Sequence, residues 1–355
     1  QALSAMADAG RRCLYDSGEE STEQIRRRAQ RLGVLSADLG ITNTDDADAV
    51  AELMRLRPRP DILVVDSVQM LTSAGVDAAA GSPSQMRACA RTLIQAAKTS
   101  GTALVLVGHV TKDSAIAGPK QIEHMVDAVL RFDQEADASF RVLRGTKNRF
   151  GSVDEVGVFE MTEEGMREVA NPSEAFLHDR RADVSGSAIL PNVEGSRPIL
   201  VETQTLVAPS QYGTPRRTVV GCDQNRLAMI VAVLHARCGL NICESDIYLN
   251  ISGGLRVTEP AADLAVAAAL VSATVGHPLP AGTAWFGEIG LGGEVRSVPR
   301  PEQRIREAAK MGFTHVVCPR DRGRAVHGGA DPACRVQHVD SLVEIVSTIS
   351  LEDGA

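Results

Sequence analysis

In the first part of the chain, apolar residues occur either in short continuous stretches or at helical spacing. The stretches 61–66 and 102–107 are almost continuously apolar, which is typical of strands buried on both faces of a parallel sheet. Between them, residues 84–100 have the pattern of a helix, and Ser21 with Gln24 forms a capping box that predicts the start of another. Helices that alternate with buried strands predict an α/β domain.

The pattern changes near residue 171, so we expect one domain at residues 1–170 and a second domain of mixed strands and helices at residues 171–355. The total of 355 residues agrees with this division, because a domain averages about 150 residues. Two more strands are predicted in the first domain, at 126–132 and 140–143. The second domain is predicted to contain strands at 186–190, 198–207, 247–251, 284–289 and 315–318, and helices at 225–238, 260–274 and 302–311.

The charge balance is mildly acidic. Lys and Arg total 37 against 45 Asp and Glu, a net charge of −8, which excludes a generally basic protein but leaves room for a local basic patch. Aromatic residues make up 3 %, fewer than a single-stranded nucleic-acid binder built on base stacking would need. No apolar run approaches the roughly 18 residues of a membrane span, and residues 1–6 lack the features of a signal peptide. Seven cysteines without a C-x-x-C pair predict reduced thiols in a cytoplasmic protein.

Charged side chains follow three of the predicted strands. Asp66 ends one apolar strand, where Walker-B-type NTPases hold the magnesium shell, and the alternative is an ordinary polar strand end. Glu19 and Glu20 follow a strand predicted at 11–15. A glutamate there could polarise the attacking water of an ATPase, or it could simply favour the first turn of a helix. His109 follows a third strand and could sense a terminal phosphate, or it could be a solvated strand end.

A cluster of cations follows the strand predicted at 140–143. Its motif is Lys147-Asn148-Arg149-Phe150-Gly151, preceded by Arg141 and Arg144. Cations beside an amide suit a phosphate, either of a nucleotide or of a DNA backbone. The alternative is a solvated hairpin.

These stretches occur in the order found in the bacterial RadA (Sms) family, which the chain resembles over essentially its whole length. The motifs that carry the resemblance are DSGEES at 16–21, GHVTK at 108–112, KNRFG at 147–151, NPSE at 171–174 and EGSRP at 194–198. The resemblance implies a RecA-like P-loop NTPase core followed by an α+β domain similar to the Lon protease. It also implies a DNA-dependent ATPase and helicase that promotes branch migration in recombinational DNA repair as a homohexameric ring.

The resemblance further implies ATP and Mg²⁺ as cofactors, single-stranded and branched DNA as substrates, and a recombinase as a partner. At the matching positions, Asp66 would hold Mg²⁺ through water, and His109 would sense the phosphate before a DNA-binding loop. Either Glu19 or Glu20 would be the catalytic glutamate, and the resemblance leaves that choice open.

The cations of the KNRFG motif acquire a role from the same resemblance. Lys147 and Arg149 match the motif that couples ATP hydrolysis to work on DNA, and together with Arg141 and Arg144 they would contact DNA. A cation supplied across a subunit interface would stabilise transition-state charge, as arginine fingers do.

The chain departs from the family pattern in three places. The 355 residues contain neither the four-cysteine zinc finger, the one part that would need Zn²⁺, nor a G-x-x-x-x-G-K-[ST] loop. The resemblance places that loop before Gln1. We therefore expect a chain that lacks the phosphate cradle, does not bind ATP measurably and has an incomplete sheet with an exposed edge. Asp16 stands where a Val is common, and we expect it to be partly exposed or simply unusual, because burying a carboxylate without a partner is unfavourable.

Two segments of the second domain resemble those that carry the nucleophilic serine and its lysine partner in Lon. These positions hold Ala261 and Glu302, which cannot attack a carbonyl or act as the base, so no peptidase activity is expected. The domain would then support ring assembly and contact DNA through Arg216, Arg217 and Arg226, whose alternative role is a solvated surface. Two other functions stay open: a non-catalytic, ring-forming DNA-binding scaffold and, more weakly, a Lon-like peptidase.

Overall fold

The structure, a computed structural model, describes residues 1–36, 38–109, 120–133, 140–210, 213–320 and 334–351. The chain forms two compact units, and each is discontinuous in sequence. The first unit comprises Gln1–Leu130, Gly145–Val153 and Met161–Arg167, and the second comprises Arg131–Arg144, Asp154–Glu160 and Glu168–Ala355. Residues 131–167 therefore contribute to both units.

The first unit contains a parallel four-stranded sheet in the order β2-β1-β3-β4. Its strands are β1 (Cys13–Ser17), β2 (Leu39–Thr42), β3 (Ile62–Asp66) and β4 (Ala103–Val107). The helices are α1 (Ala2–Asp8), α2 (Thr22–Arg31), α3 (Ala47–Leu53), α4 (Pro83–Ser100) and α5 (Lys120–Glu123). The predicted α/β architecture with a parallel sheet is confirmed.

Helix α4 is long and amphipathic because its apolar positions recur at helical spacing, and together with α3 it covers β3. Their shared core consists of buried side chains from the two helices, the sheet and the following turn: Ala47, Val50, Ala51, Met54, Leu63, Val65, Leu71, Cys89, Leu93 and Ala96. The strands at the two edges of the sheet are β2 and β4. Among the described residues, β4 pairs with β3 and with no further strand. The side chain of its Val105 is exposed.

The capping box that was predicted for α2 is present. Ser21 Oγ accepts a hydrogen bond from the Gln24 amide at 3.3 Å, and Gln24 Oε1 accepts one from the Ser21 amide at 2.9 Å. This reciprocal pair satisfies two of the amides that a helix start leaves unbonded. It fixes the point at which the loop after β1 becomes a helix.

A second four-stranded sheet has the order β5-β6-β7-β8, and its residues are divided between the two units. Its strands are β5 (Ala128–Asp133), β6 (Phe140–Asn148), β7 (Val156–Thr162) and β8 (Gly165–Glu168). β6 and β7 are antiparallel. The strand predicted at 140–143 thus extends further, to Asn148.

The second unit contains a seven-stranded sheet in the order β11-β12-β10-β9-β13-β16-β17, and a small sheet of β14 and β15. The strands are β9 (Ser187–Glu194), β10 (Arg197–Pro209), β11 (Arg217–Val220), β12 (Ser245–Ile251), β13 (Thr283–Trp285), β14 (Glu288–Ile289), β15 (Val295–Arg296), β16 (His315–Pro319) and β17 (Arg335–Val339). The helices are α6 (Pro172–Leu177), α7 (Gln224–Cys238), α8 (Asp263–Val275), α9 (Pro301–Lys310) and α10 (Leu342–Leu351).

Helix α8 forms the centre of the second core. It is apolar on all sides, and every residue from position 263 to 272 is buried. β10 is antiparallel to β9 and β12, whereas β13, β16 and β17 are parallel to their neighbours. The prediction of one strand at 284–289 is wrong. The chain leaves the large sheet after Trp285, because the Gly287 amide bonds to the Ala261 carbonyl at 2.9 Å and β14 pairs with β15.

None of the seven cysteines, all of which lie among the described residues, forms a disulfide. Among the described residues, no group of three or more His, Cys, Asp or Glu side chains is arranged to hold a metal ion. A search of the same residues for a helix with the length and apolarity of a membrane span finds none.

Candidate functional site

The candidate site lies at the carboxyl ends of three adjacent parallel strands. In the order β1-β3-β4, Ser17 pairs in register with Asp66, and Asp66 pairs with Val107. The residues that follow these strands therefore meet at one edge of the sheet. This is the edge at which open parallel sheets bind their ligands.

Glu19 is the acid that faces the ends of the neighbouring strands. Its Oε1 accepts a hydrogen bond from Ser67 Oγ at 2.7 Å and lies 3.5 Å from His109 Nε2. The side chains of Glu19 and His109 keep 42 % and 65 % of their surface exposed. Glu19 is therefore held by β3 and β4 while its carboxylate stays accessible.

Glu20, in contrast, turns toward helix α2. Its Oε2 lies 2.7 Å from the Arg28 guanidinium, and Oε1 accepts a second hydrogen bond from Arg28 at 3.1 Å. The structure thus separates two glutamates that the sequence leaves equivalent.

The loop that carries both glutamates is fixed by side chains outside the predicted set. Ser17 Oγ accepts hydrogen bonds from the Glu19 and Glu20 amides at 3.4 and 3.1 Å. Asn43, which follows β2, donates from Nδ2 to the Ser17 carbonyl at 2.6 Å and to the Glu20 carbonyl at 3.0 Å. Asn43 therefore clamps both sides of Glu19.

Gly18 is required by a close approach within the same loop. Its amide donates to the Asp66 carbonyl at 3.0 Å, and a Cβ built on Gly18 would lie 2.6 Å from Met70 Cβ. Because a real Cβ does not approach another carbon so closely, any larger residue would push the loop away from β3.

Asp66 is partly buried and has one side-chain partner among the described residues. Its Oδ2 accepts a hydrogen bond from the Tyr15 hydroxyl at 2.5 Å, which leaves Oδ1 available. A single carboxylate oxygen at a strand end fits Mg²⁺, which keeps several waters and is commonly held by one or two carboxylates plus substrate phosphates. Burial, followed by the bond to Asp66, raises the pKa of Tyr15.

His109 is anchored through its main chain. Gln69 donates from Nε2 to the His109 carbonyl at 3.0 Å, and its Oε1 accepts from the His109 amide at 3.4 Å. The turn after β3 is thereby tied to the segment after β4. The remaining residues of the GHVTK motif, Val110, Thr111 and Lys112, lie outside the described residues.

Of the two alternatives expected for Asp16, partial exposure is wrong, because its side chain is completely buried, and an unusual residue at this position remains. Oδ1 accepts a hydrogen bond from Thr42 Oγ1 at 2.8 Å, whereas the buried Oδ2 has no partner among the described residues. Burial raises the pKa of the Asp16 carboxyl above its ordinary value.

The two cations of the KNRFG motif contact the segment around α5. Lys147 donates from Nζ to the Glu123 and Val126 carbonyls at 2.7 and 2.8 Å, and Arg149 pairs with Asp127 at 2.9 Å. Lys147 is therefore engaged with backbone at the end of a helix. The ion pair of Arg149 is half exposed, at 51 % and 50 % for its two side chains.

The rest of the motif forms a turn after β6. Asn148 Oδ1 accepts from the Phe150 amide at 3.0 Å, and Asn148 Nδ2 donates to the Ser152 carbonyl at 3.2 Å. Phe150 is 84 % exposed, next to the partly exposed backbone of Gly151. Asn148 therefore shapes the turn.

Arg144 and Arg141 belong to the second unit. Arg144 bonds to Asp133 at 2.7 Å and also to Glu194. Arg141 is partly buried on β6, in register with Phe159. The structure thus does not bring these two arginines together with Glu19 and Asp66 in one unit.

The three arginines predicted for a DNA-contacting surface differ in their surroundings. Arg217 donates to the carbonyls of Arg216, Ser245 and Cys243, so its guanidinium is occupied by backbone. Arg226 pairs with the buried Asp263, with 2.7 Å between Arg226 Nε and Asp263 Oδ1. Arg216 precedes β11, and its amide donates to Asp246 at 2.8 Å.

The two positions that the sequence resemblance assigns to a Lon dyad hold an alanine and a glutamate. Ala261 is buried in a short 3₁₀ turn before α8, and Glu302 is exposed in the first turn of α9. The nearby Glu259 is instead paired with Arg304, one of whose nitrogens lies 2.7 Å from Glu259 Oε1.

Comparison with known proteins gives consistent results for both halves of the chain. Residues 3–115 match the family described as "AAA domain", and residues 210–322 match "Subunit ChlI of Mg-chelatase". The chain is 48 % identical to the DNA repair protein RadA of Brucella abortus over 354 residues, which is 99 % of this chain and 75 % of that protein. It is 44 % identical to the DNA repair protein RadA of Bacillus subtilis over 319 residues, 90 % of this chain and 69 % of the relative.

The chain belongs to the RadA family of DNA repair proteins. The region that matches the AAA domain includes β1, β3 and β4, and therefore Glu19, Asp66 and His109. RadA-family membership confirms the resemblance that the motifs indicate.

Sequence reasoning missed several side chains that build this RadA-family site, among them Tyr15, Arg28, Asn43 and Gln69. Each acts on a residue that is distant in sequence or lies on another element. A polar side chain within an apolar strand, such as Tyr15 in β1, is the one local signal that could have identified any of them.

Proposed function

We propose that the chain is part of a DNA-dependent ATPase and helicase that promotes branch migration during recombinational DNA repair. A DNA repair function accords with RadA-family membership. The observation that carries the ATPase proposal is the meeting of Glu19, the Asp66–Ser67 strand end and His109 at one sheet edge.

In this proposal Glu19 polarises the attacking water. Its carboxylate is accessible, and Ser67 holds it by one oxygen, so its position does not depend on the substrate. A positioned general base contributes about 10²- to 10⁴-fold to a rate. Glu20 is excluded from this role because Arg28 binds both of its oxygens.

Asp66 would hold Mg²⁺ through water, with Oδ1 directed to the water shell. When bound there, the ion would neutralise charge on the transferring phosphoryl group of ATP. His109 would sense that phosphate, since its ring lies beside Glu19 and its backbone is held by Gln69. A change at the site would thus be passed to the segment that follows His109.

The two cations of KNRFG receive different roles. Lys147 supports α5 from within its own chain, because its ammonium bonds to two carbonyls there. Arg149 is the better candidate for a cation presented to a neighbouring subunit of a homohexamer, because its one carboxylate partner is exposed and exchangeable. Such a cation would stabilise the negative charge of the transition state at a subunit interface.

The second unit would support ring assembly and contact single-stranded or branched DNA. Arg216 is the proposed contact, whereas Arg217 and Arg226 stabilise their own unit. In the Arg216→Ala variant, DNA affinity should fall and the salt dependence of binding should flatten by about one unit of slope. An unchanged slope would remove Arg216 from the DNA footprint.

The protein is proposed to act in the cytoplasm with a recombinase. A non-catalytic DNA-binding scaffold is the second candidate, since the 355 residues contain no G-x-x-x-x-G-K-[ST] loop. ATP hydrolysis by the full-length protein separates the two, because a scaffold would hydrolyse none. Titration of these 355 residues with ATP and Mg²⁺ tests the expected lack of a phosphate cradle, which micromolar affinity would contradict. Zn²⁺ has no role in the site, and a casein-type substrate should not be hydrolysed.

The main test is DNA-stimulated ATP hydrolysis and branch migration by the full-length protein. Lys147→Ala and Arg149→Ala should each abolish branch migration, whereas Lys98→Ala, an exposed lysine on α4, should have no effect. Branch migration that survives both motif substitutions would refute the role of KNRFG. ATP hydrolysis that DNA does not stimulate would refute the proposed activity.

A further inference from the structure

Two polar residues beside the site have no part in the proposed reaction. Tyr15 lies on β1 and bonds to Asp66. Glu20 lies in the following loop and pairs with Arg28 of α2. The contacts run in one line: Glu20 to Arg28 at 2.7 Å, Arg28 beside the Tyr15 hydroxyl, and Tyr15 to Asp66 at 2.5 Å.

We propose that Tyr15, supported by Arg28 and Glu20, is a positioning residue that orients the Asp66 carboxylate and so sets the affinity of the site for a divalent cation. This inference rests on the proposed role of Asp66.

The first step of the argument is the bond between Tyr15 and Asp66. A neutral hydroxyl that donates to a carboxylate forms a short, strong hydrogen bond without cancelling the negative charge. Because Oδ2 is occupied, Oδ1 is the oxygen left for the water shell of a cation. Hydrogen-bond partners of this kind orient a metal-binding carboxylate, and their loss commonly weakens metal affinity about 10- to 100-fold.

The second step is that Tyr15 remains a donor. A tyrosine hydroxyl ordinarily keeps its proton at neutral pH, and the Tyr15 hydroxyl lies 2.5 Å from Asp66 Oδ2. Tyr15 is therefore the donor in this bond and the Asp66 carboxylate is the acceptor.

The third step concerns Arg28. Its guanidinium lies beside the Tyr15 hydroxyl and limits the movement of that hydroxyl, but a guanidinium without a counter-ion would compete with a metal cation for the Asp66 carboxylate. Glu20 prevents this by holding Arg28 with both oxygens, at 2.7 and 3.1 Å. Glu20 thus acts three contacts away from Asp66, which gives the second glutamate of the loop a role distinct from that of Glu19.

Binding of Mn²⁺ to the full-length protein tests the inference, with electron paramagnetic resonance as the readout and a non-hydrolysable ATP analogue present. Tyr15→Phe should weaken Mn²⁺ binding about tenfold. Arg28→Met and Glu20→Gln should each weaken it about two- to threefold, as expected of indirect contacts. Tyr248→Phe is the matched control, because that partly exposed tyrosine lies on β12 and its hydroxyl makes no hydrogen bond within the described residues.

The outcomes separate this inference from the proposed function. Asp66→Asn should weaken Mn²⁺ binding more than any of these variants, and if it does not, the proposed magnesium role of Asp66 fails. If Asp66→Asn weakens binding and folded Tyr15→Phe stays within twofold of the wild type, the positioning role alone is wrong. If Tyr15→Phe does not fold, wild-type affinity in both Arg28→Met and Glu20→Gln overturns it.

Discussion

Asp66 in the first unit and Glu259 in the second have opposite surroundings. In the first unit, Asp66 is bound by the hydroxyl of Tyr15, a neutral donor that leaves its charge and one oxygen available. In the second, Glu259 is bound by the buried Arg304, a cation that neutralises it and donates to two of its oxygens. Hydroxyl donors therefore keep a carboxylate available for a ligand, whereas arginine converts it into part of the scaffold.

The same contrast holds for a second pair of acids. Glu19 accepts from the Ser67 hydroxyl, while Asp263 accepts from Arg226 and from the Ile289 amide at 2.9 Å. A carboxylate at a helix start is thus insufficient evidence of activity. Its donor decides whether the charge remains available.

The largest expected effect is on catalysis by the first unit. Glu19→Gln should lower the DNA-stimulated ATPase rate of the full-length protein about 10²- to 10⁴-fold, because an amide accepts the Ser67 hydrogen bond but cannot take a proton. Glu20→Gln, measured at saturating Mg²⁺, should lower the rate less than tenfold. Equal losses in the two variants would contradict the division of roles between the glutamates.

The next effect is on the stability of the second unit. Arg304 is 1 % exposed and Glu259 23 % exposed, so Glu259→Gln leaves a buried cation without its counter-ion. We expect a loss of about 3–5 kcal/mol in the free energy of unfolding, measured by urea denaturation. The double variant Glu259→Met, Arg304→Leu should recover part of it, and a single variant as stable as the wild type would show that the pair is not structural.

The sequence predicts what depends on neighbouring residues. The apolar run at 61–66, the Ser21–Gln24 capping box and the helix at 84–100 are present because their causes lie within a few positions. The strand predicted at 284–289 is split, because the Gly287 amide bonds to Ala261, a contact set by the tertiary fold.

The sequence identifies the residues of the candidate site but not the role of each one. The strand ends identify Asp66, His109 and the pair of glutamates, since parallel strands end at one edge. The choice of Glu19 depends on Ser67 and His109, which are far away in sequence. The internal bonds of Arg217 could not be foreseen either, because the carbonyls that bind it belong to the distant turn before β12.

Asp16, an acid of the first unit, accepts a hydrogen bond from the Thr42 hydroxyl but is not accessible to a ligand, because it is buried. It is buried, and one of its oxygens is unbonded within the described residues, so Asp16→Val should stabilise the protein by about 1–2 kcal/mol at pH 7.5. Because the pKa is raised in the folded state, the folded protein binds the proton more readily than the unfolded chain. The destabilisation by Asp16 thus appears as the pH rises above the ordinary Asp value and grows through the raised pKa.

Thermal unfolding at pH 5 and pH 7.5 checks this prediction. The stabilisation by Asp16→Val should be larger at pH 7.5 than at pH 5. Asp16→Asn, which can still accept from Thr42 but cannot ionise, should lose the pH dependence as well. A gain that is equal at the two pH values would mean that the folded-state carboxyl is already ionised at pH 5, as it is in the unfolded chain.

The smallest expected effect is at the ion pair of Arg149 and Asp127. Both side chains are half exposed, so solvent screens their attraction, and Asp127→Asn should change the free energy of unfolding by less than about 1 kcal/mol in urea denaturation. Each substitution removes the carboxylate that pairs with an arginine. The difference in the free energy of unfolding between Asp127→Asn and Glu259→Gln therefore measures the effect of burial. If Asp127→Asn destabilised the protein as strongly as Glu259→Gln, Arg149 would be a structural residue. It would then no longer be a candidate for presentation to a neighbouring subunit.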